Sequence, residues 1–230
     1  MTTIDANLQA VRARVSAACV AAGRSPQAVQ LLAVSKTFPA DAVLQAAATG
    51  QIAFGENYIQ EAVLKIAALQ SRTLQWHCIG PVQSNKTRLV AQHFDWVQSI
   101  DRLKIAQRLS EQRPPELAPL QVCIQVNTDG GPTKAGVAPR ELPELAHAVA
   151  ALPRLTLRGL MTIPEPAADF ASAVALHMRA HHLLESLRAE GLQLDTLSMG
   201  MSADLEAAIH AGSTMVRVGT AIFGGRTHVS

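Results

Sequence analysis

The stretch Thr196–Gly219, TLSMGMSADLEAAIHAGSTMVRVG, reads as strand, helix and strand in one short passage. Thr196–Met199 and Met215–Gly219 are apolar runs of strand length, and between them Leu205 and Ile209 repeat at i, i+4 across Ala203–Ala211. Ser202 suits the N-cap of that helix and Gly212 its end. Two strands joined through a helix form no hairpin. They fit a parallel pair, whose connection must cross over the sheet.

Upstream, the same unit repeats. Further strand-like runs lie at Leu31–Ser35, Ile52–Gly55, Gln75–Gly80, Trp96–Ile100, Leu120–Asn127 and Thr156–Thr162. Helical patterns fill Pro39–Ala48, Tyr58–Gln70, Asn85–Gln92, Arg102–Glu111, Arg140–Ala151 and Asp169–Glu190. Pro39 and Pro139 suit first turns, Asp101 an N-cap, and Gly50 follows a helix end. Eight strands alternating with helices predict a single-domain α/β fold, a (β/α)8 TIM-type barrel. An open doubly wound sheet is the rival, but no G-x-G-x-x-G follows the first strand. The loops EQRPPELAP (Glu111–Pro119) and TIPEPAAD (Thr162–Asp169) sit inside the alternation and split nothing. Residues 1–28 are expected to form an additional N-terminal helix packing on the barrel of residues 29–230. Ile4, Leu8, Val11, Val15 and Ala18 carry its helical spacing, and Asp5, Arg12 and Arg14 argue against a signal peptide.

Composition narrows the function. The 230 residues are 48% hydrophobic and 17% charged with a formal net charge of +2, ordinary values for a globular chain. Scattered Lys and Arg and few aromatics argue against nucleic acid, and no run approaches the ~18 apolar residues of a membrane span. Cys19, Cys78 and Cys123 are odd in number and far apart, which fits buried thiols in a reducing compartment, the cytoplasm.

In such a barrel, chemistry gathers at the C-terminal ends of the strands, with phosphate commonly held after the seventh and eighth. The first strand, in VQLLAVSKTF (Val29–Phe38), ends in Lys36. Burial disfavours an ammonium, and a neutral amine can attack an aldehyde to form a Schiff base. A lysine that reaches out of the barrel mouth, or pairs with Glu56, explains the same residue. The loops after the last two strands offer Gly200, Ser202, Gly219 and Thr220. Backbone N–H groups at a helix start, hydroxyls and close-approaching glycines make a phosphate cup, although Gly and Ser also punctuate ordinary turns. Arg217 lies two residues before Gly219, on the same side of its strand. A heteroaromatic nitrogen or the Glu56 carboxylate would partner it.

The segments AVSKTFP, FGENYIQEA, WHCIGPVQSNK, GLMTIP, LSMGMSADLEAAI and GSTMVRVGTAIFG, in order from about Leu31 to Arg226, closely resemble the pyridoxal phosphate homeostasis protein family. The resemblance implies a barrel similar to the N-terminal domain of alanine racemase, with pyridoxal 5′-phosphate (PLP) held as an aldimine on Lys36. It implies that Ser202, Gly219 and Thr220 hold the phosphate, that Arg217 faces the pyridine nitrogen and that Asn57 lies near the ring's substituents. His77 and Met161, at strand ends, are further candidates to contact the ring, although packing at the barrel mouth explains both. The family often carries a second lysine two positions after the first, where this chain has Phe38, so lysine-to-lysine transfer through that position is not expected. Lys134 in GGPTKAGV matches a lysine-glycine motif of the family.

A guanidinium has donors only and cannot accept from a pyridinium N–H, so Arg217 at that nitrogen argues against transamination. A racemase needs bases on both faces of its substrate. The chain has one tyrosine, Tyr58, and too little sequence beyond Arg226 for a second domain. The expected role is therefore a carrier without catalytic residues, a monomer that buffers PLP and delivers it to apo PLP-dependent enzymes, thereby influencing amino-acid and keto-acid balance. The alternative is a PLP-dependent racemase of low activity. His177, His181 and His182 are set aside as metal ligands because the helix offers no third ligand of the right kind, and no G-x-S-x-G marks a hydrolase. Glu61 and Lys65 read as an i, i+4 surface pair.

Overall fold

The computed structural model describes residues 3–130 and 135–225. Lys134 falls outside the described residues. Eight parallel strands close in sequence order: β1 (Gln30–Val34), β2 (Ala53–Glu56), β3 (Gln75–Cys78), β4 (Trp96–Ile100), β5 (Leu120–Gln125), β6 (Leu155–Met161), β7 (Thr196–Ser198) and β8 (Met215–Val218). Closure is made by β1 against β8, with Leu32 opposite Arg217 and Ala33 opposite Val218. The crossover helices are α2 (Ala40–Ala48), α3 (Ile59–Ala68), α4 (Thr87–His93), α5 (Leu103–Gln112), α6 (Leu142–Ala150), α7 (Phe170–Ala189) and α8 (Leu205–His210). The predicted (β/α)8 barrel is the observed fold.

Strands covered on both faces read as near-continuous apolar runs, and β2 and β4 are buried at every position. Most of the core lies between sheet and helices, around Val43, Phe54, Ile105, Leu109, Leu160 and Ile209. Inside the cylinder, Leu32, Ala53 and Met215 form one small cluster and Trp96, Cys123 and Met161 another. Between these, buried His77, Gln98, Ser198 and Arg217 make the interior partly polar.

Helix α1 (Ile4–Ala21) buries Leu8, Val11, Val15, Ala18 and Cys19 and starts with the Thr3 hydroxyl accepting from the Ala6 N–H. Asn7 Nδ2 donates to the Ile222 carbonyl at 2.9 Å, and Arg14 pairs side-on with Glu206, Nε donating to Oε1 and Nη2 to Oε2. The helix therefore braces the elements that follow β7 and β8.

Several local expectations are corrected. Helix α8 starts at Leu205, so Ser202 lies in the preceding turn and is not its N-cap. The cause is Asp204, whose Oδ1 accepts the Met201 N–H at 2.7 Å and holds that turn closed. Asp101 does not cap α5 either; its carboxylate is taken by Arg102 Nη1 at 2.7 and 2.9 Å. Pro39 sits at the N-cap of α2 and not in its first turn. Gly219 is followed by a short helix, α9 (Thr220–Phe223), that strand patterning does not announce.

Candidate functional site

Strand β1 delivers Lys36 to the C-terminal end of the barrel. With a period of two, Leu32, Val34 and Lys36 share a face, and Leu32 packs against Ala53 and Met215 inside the cylinder. Past Ser35 the chain turns sharply: the Phe38 N–H donates to the Ser35 carbonyl at 3.1 Å and Thr37 takes a left-handed φ of 68°. Lys36 is half-buried at this bend, not sealed in the core as the apolar run suggests. Its ammonium has no hydrogen-bond or ion-pair partner among the described residues.

The Glu56 partner considered for Lys36 and for Arg217 is otherwise engaged. Glu56 points out of the barrel toward α3, where Lys65 Nζ lies 2.6 Å from its Oε1 and the Ser35 hydroxyl donates to the same oxygen at 2.6 Å. Burial pushes the Glu56 carboxyl above its usual range, against the lowering effect of Lys65 and the Ser35 hydroxyl. Lys65 is only 5% exposed, which corrects the surface reading of its pair with Glu61.

Strands β7 and β8 bring the remaining candidates beside Lys36. The Arg217 N–H donates to the Gly200 carbonyl at 3.0 Å, and a Cβ on Gly219 would lie 3.1 Å from the Val34 carbonyl oxygen of β1. Ser35 N–H in turn donates to the Gly55 carbonyl of β2 at 3.0 Å. Lys36, Asn57, Ser202, Arg217, Gly219 and Thr220 thus stand at the same end of four adjacent strands, β7, β8, β1 and β2. Gly200 has a φ of +93°, and a Cβ there would come within 2.5 Å of the Ala208 Cβ, so only glycine lets the strand turn into the Ser202 loop. The first N–H groups of α9, Thr220 and Ala221, have no carbonyl to reach within their own helix.

Arg217 is buried within the cylinder. Its Nη1 donates to Ser198 Oγ and its Nη2 to the Thr162 carbonyl, each at 2.8 Å. Burial pulls its pKa down to about 10, with Asp204 acting in the opposite direction. Ser198 Oγ donates to Gln98 Oε1 at 2.6 Å, and Gln98 Nε2 lies 2.9 Å from His77 Nδ1. An amide nitrogen only donates, so His77 accepts at Nδ1 and donates from Nε2 to Gln75 Oε1 at 3.0 Å. Burial takes His77 down to about 3, consistent with that neutral form.

His77 is fully buried, stacked 5.0 Å from Trp96, with both ring nitrogens used inside the barrel; it supports Arg217 and does not face the mouth. Met161, also fully buried, packs with Trp96 and Cys123 as interior filling. Asn57 fits better. Its Oδ1 is buried without a partner, and its backbone rests on Gly80, where a Cβ would come 2.4 Å from the Asn57 carbonyl oxygen. Thr162 Oγ1 is likewise buried and unpartnered.

The Ser202 turn has its own support. Asp204 Oδ2 lies 2.9 Å from His177 Nε2 while Oδ1 takes the Met201 N–H. Burial raises the Asp204 carboxyl, but these two hydrogen bonds together with the charge interactions with His177 and Arg217 outweigh it, and the net shift is downward. His177 is thus a buried support, and among the described residues no cluster of His, Cys, Asp or Glu could hold a metal ion.

Ser198, Gln98, Thr162 and Asp204 were missed in the sequence. The available signal was parity: Gln98 and Ser198 are polar residues at inward positions of apolar strands, like Arg217.

Residues 4–227 match the family described as the N-terminal domain of alanine racemase. A pyridoxal phosphate homeostasis protein of Pseudomonas aeruginosa is 59% identical over 228 residues, 99% of this chain and 98% of that protein. PipY of Synechococcus elongatus PCC7942, solved with PLP bound, superposes with a TM-score of 0.83 at 36% identity, covering 96% of this chain and 100% of that one. Alanine racemase from Corynebacterium glutamicum shares the fold at a TM-score of 0.67 and 21% identity, with 97% of this chain matched to 62% of the enzyme.

Proposed function

The chain belongs to the alanine racemase N-terminal-domain family and, within it, to the pyridoxal phosphate homeostasis proteins, and on that premise we propose that it binds PLP at the barrel mouth and serves to buffer and deliver it. One observation carries the reading. An unpartnered lysine stands at the same barrel end as a glycine-lined turn, a helix start and a buried guanidinium. The buried, unpartnered Asn57 Oδ1 and Thr162 Oγ1 at that end supply polar groups suited to a polar ligand.

Bound there, PLP supplies an aldehyde, a phosphate and a pyridine nitrogen. Lys36, as the neutral amine, would condense with the aldehyde, a C=N bond replacing the C=O bond while the aldehyde oxygen leaves as water with the two amine hydrogens. The Ser202 turn, Gly219 and Thr220 hold the phosphate, Asn57 lies near the ring, and Arg217 offers its remaining donors to the pyridine nitrogen. Arg217 has donors only, so it leaves that nitrogen unprotonated and weakens carbanion chemistry. Met161 acts as packing beneath the ring and His77 through Arg217.

The racemase alternative is disfavoured. Tyr58, the single tyrosine, is 51% exposed, and no hydrogen bond among the described residues orients it as a base. We therefore assign no catalytic residue, and take apo PLP-dependent enzymes as the recipients, a monomer as the working form and the cytoplasm as the compartment. The three buried, unpaired thiols support a reducing compartment. Among the described residues, no helix is long and apolar enough to cross a membrane.

The test is a transfer assay from PLP-loaded protein to an apo PLP enzyme, run beside a racemase assay. Borohydride should fix a pyridoxyl group on Lys36, and Lys36→Ala should lose the visible absorbance of lysine-bound cofactor while retaining part of its phosphate-dependent binding. Unchanged absorbance in that variant contradicts the lysine assignment. Interconversion of L- and D-amino acids at useful turnover contradicts the carrier assignment.

A further inference from the structure

We infer that Glu61, backed by Lys65, is the positioning residue that holds the Lys36 bend in the shape required for cofactor capture; the inference rests on the function proposed above. Lys36 itself has no hydrogen-bond or ion-pair partner among the described residues, yet Ser35, Thr37 and Phe38 beside it are each hydrogen-bonded. Thr37, just after it, is β-branched and adopts φ 68°, a conformation such residues avoid. The Thr37 N–H donates to Glu61 Oε1 at 2.8 Å. The same Glu61 oxygen lies 2.8 Å from Lys65 Nζ, which also reaches Glu56 Oε1 at 2.6 Å and donates to the Ser35 carbonyl at 2.8 Å. That carbonyl also accepts the Phe38 N–H that closes the bend. Phe38 then packs against Phe223 of α9 in a tilted ring pair with centroids 5.1 Å apart, joining the bend to the helix beside the phosphate cup.

The consequence is geometric. A lysine side chain has several rotatable bonds, so its reactivity toward a bound aldehyde depends on where its Cα–Cβ bond points. A left-handed residue after Lys36 persists only if its surroundings over-determine it. Among the described residues, the Glu61 carboxylate is the one side chain that binds the strained peptide's own N–H. Without that acceptor, Thr37 relaxes toward negative φ and the bend opens. The phosphate cup, Arg217 and Asn57 stay in place, because none of them bonds to Glu61.

The experiment compares wild type with Glu61→Ala, Glu61→Gln, Thr37→Gly and the Thr37→Gly/Glu61→Ala double variant. Thermal unfolding confirms that each is folded. The first readout needs no cofactor: amide hydrogen exchange at Thr37 and Phe38. The second is the rate at which PLP becomes fixable on Lys36 by borohydride, read by peptide mass. Glu61→Ala should accelerate exchange and slow capture on the order of tenfold, a loss of about 1.4 kcal/mol in barrier terms. Glu61→Gln retains an oxygen acceptor and should stay near wild type. In the Thr37→Gly background the Glu61→Ala loss should shrink, since glycine accepts positive φ without strain. Should Glu61→Ala fail to fold, Glu61→Asn replaces it, withdrawing the acceptor by one methylene while staying polar. Unchanged exchange and capture in a folded Glu61→Ala or Glu61→Asn overturns the inference. So does a Glu61→Gln as slow as Glu61→Ala with no relief from Thr37→Gly, which would make the pair a stabiliser of α3 only. If wild type itself captures no PLP on Lys36, the proposed function fails, and the exchange readout still judges the clamp.

Discussion

Replacing Lys65 by methionine tests how the strand ends beneath Lys36 are held. The side chain is 5% exposed and its ammonium sits among Glu56 Oε1, Glu61 Oε1 and the Ser35 carbonyl at 2.6, 2.8 and 2.8 Å. Methionine fills nearly the same volume without charge. Glu56, 1% exposed, then keeps only the Ser35 hydroxyl, and its Oε2 already has no partner. Breaking a buried pair by removing one member costs about 3–5 kcal/mol. For a chain of this size each kcal/mol lowers the melting temperature by about 2–4 °C, so Lys65→Met should melt roughly 6–20 °C lower near neutral pH.

The penalty should depend on pH in a defined direction. Burial raises the Glu56 carboxyl above its unfolded value, so the folded state binds its proton more tightly. Its contribution is complete at low pH and is lost as pH climbs through the raised folded value. Removing Lys65 enlarges that effect, so the deficit of Lys65→Met should shrink from pH 8 toward pH 5. Urea unfolding of wild type, Lys65→Met and Lys65→Met/Glu56→Gln across that range is the assay. The double variant should recover most of the loss. A deficit under about 1 kcal/mol, one independent of pH, or one that Glu56→Gln leaves untouched refutes the reasoning.

Three further outcomes follow from the same geometry. Ser198→Ala strands an Arg217 donor and the Gln98 carbonyl inside the barrel, and should cost about 1–3 kcal/mol in chemical denaturation while weakening PLP retention. Gly200→Ala forces a side chain onto φ +93° with its Cβ 2.5 Å from the Ala208 Cβ. It should lose about 2–4 kcal/mol by thermal or urea melting. His77, with a folded pKa of about 3 against an ordinary 6.5, binds its proton less tightly when folded. Its contribution is therefore full above about pH 6.5 and drains away as pH falls toward 3, a limb that His77→Gln should flatten in stability measured against pH.

Legibility differed between elements for physical reasons. The barrel was readable because a strand of period two and a helix of period 3.6 are local patterns, and Gly50 and Gly212 mark helix ends within their own segments. Asp101 was misjudged because its neighbour Arg102 competes for the carboxylate. Ser202 was misjudged because Asp204, two residues on, closes the turn first. Glu61 and Lys65 looked like a solvent pair because helical spacing says which residues are neighbours and nothing about what covers them. His77 lay near a strand end in the chain, but its bonds run down the interior to Gln75 and across it to Gln98.

The order of strands and helices, and the identities of Lys36, Asn57, Ser202, Arg217, Gly219 and Thr220 as residues of one barrel end, were determined by the sequence alone. Alternation sets which end a residue occupies, and chain order sets which strands adjoin. Only the tertiary structure decided which polar groups meet. Ser198 and Gln98 lie 100 positions apart and bond across the cylinder, while Lys65 and Ser35 lie 30 apart and bond outside it. Such pairings depend on the relative height of layers after the barrel closes, a quantity that no single segment encodes.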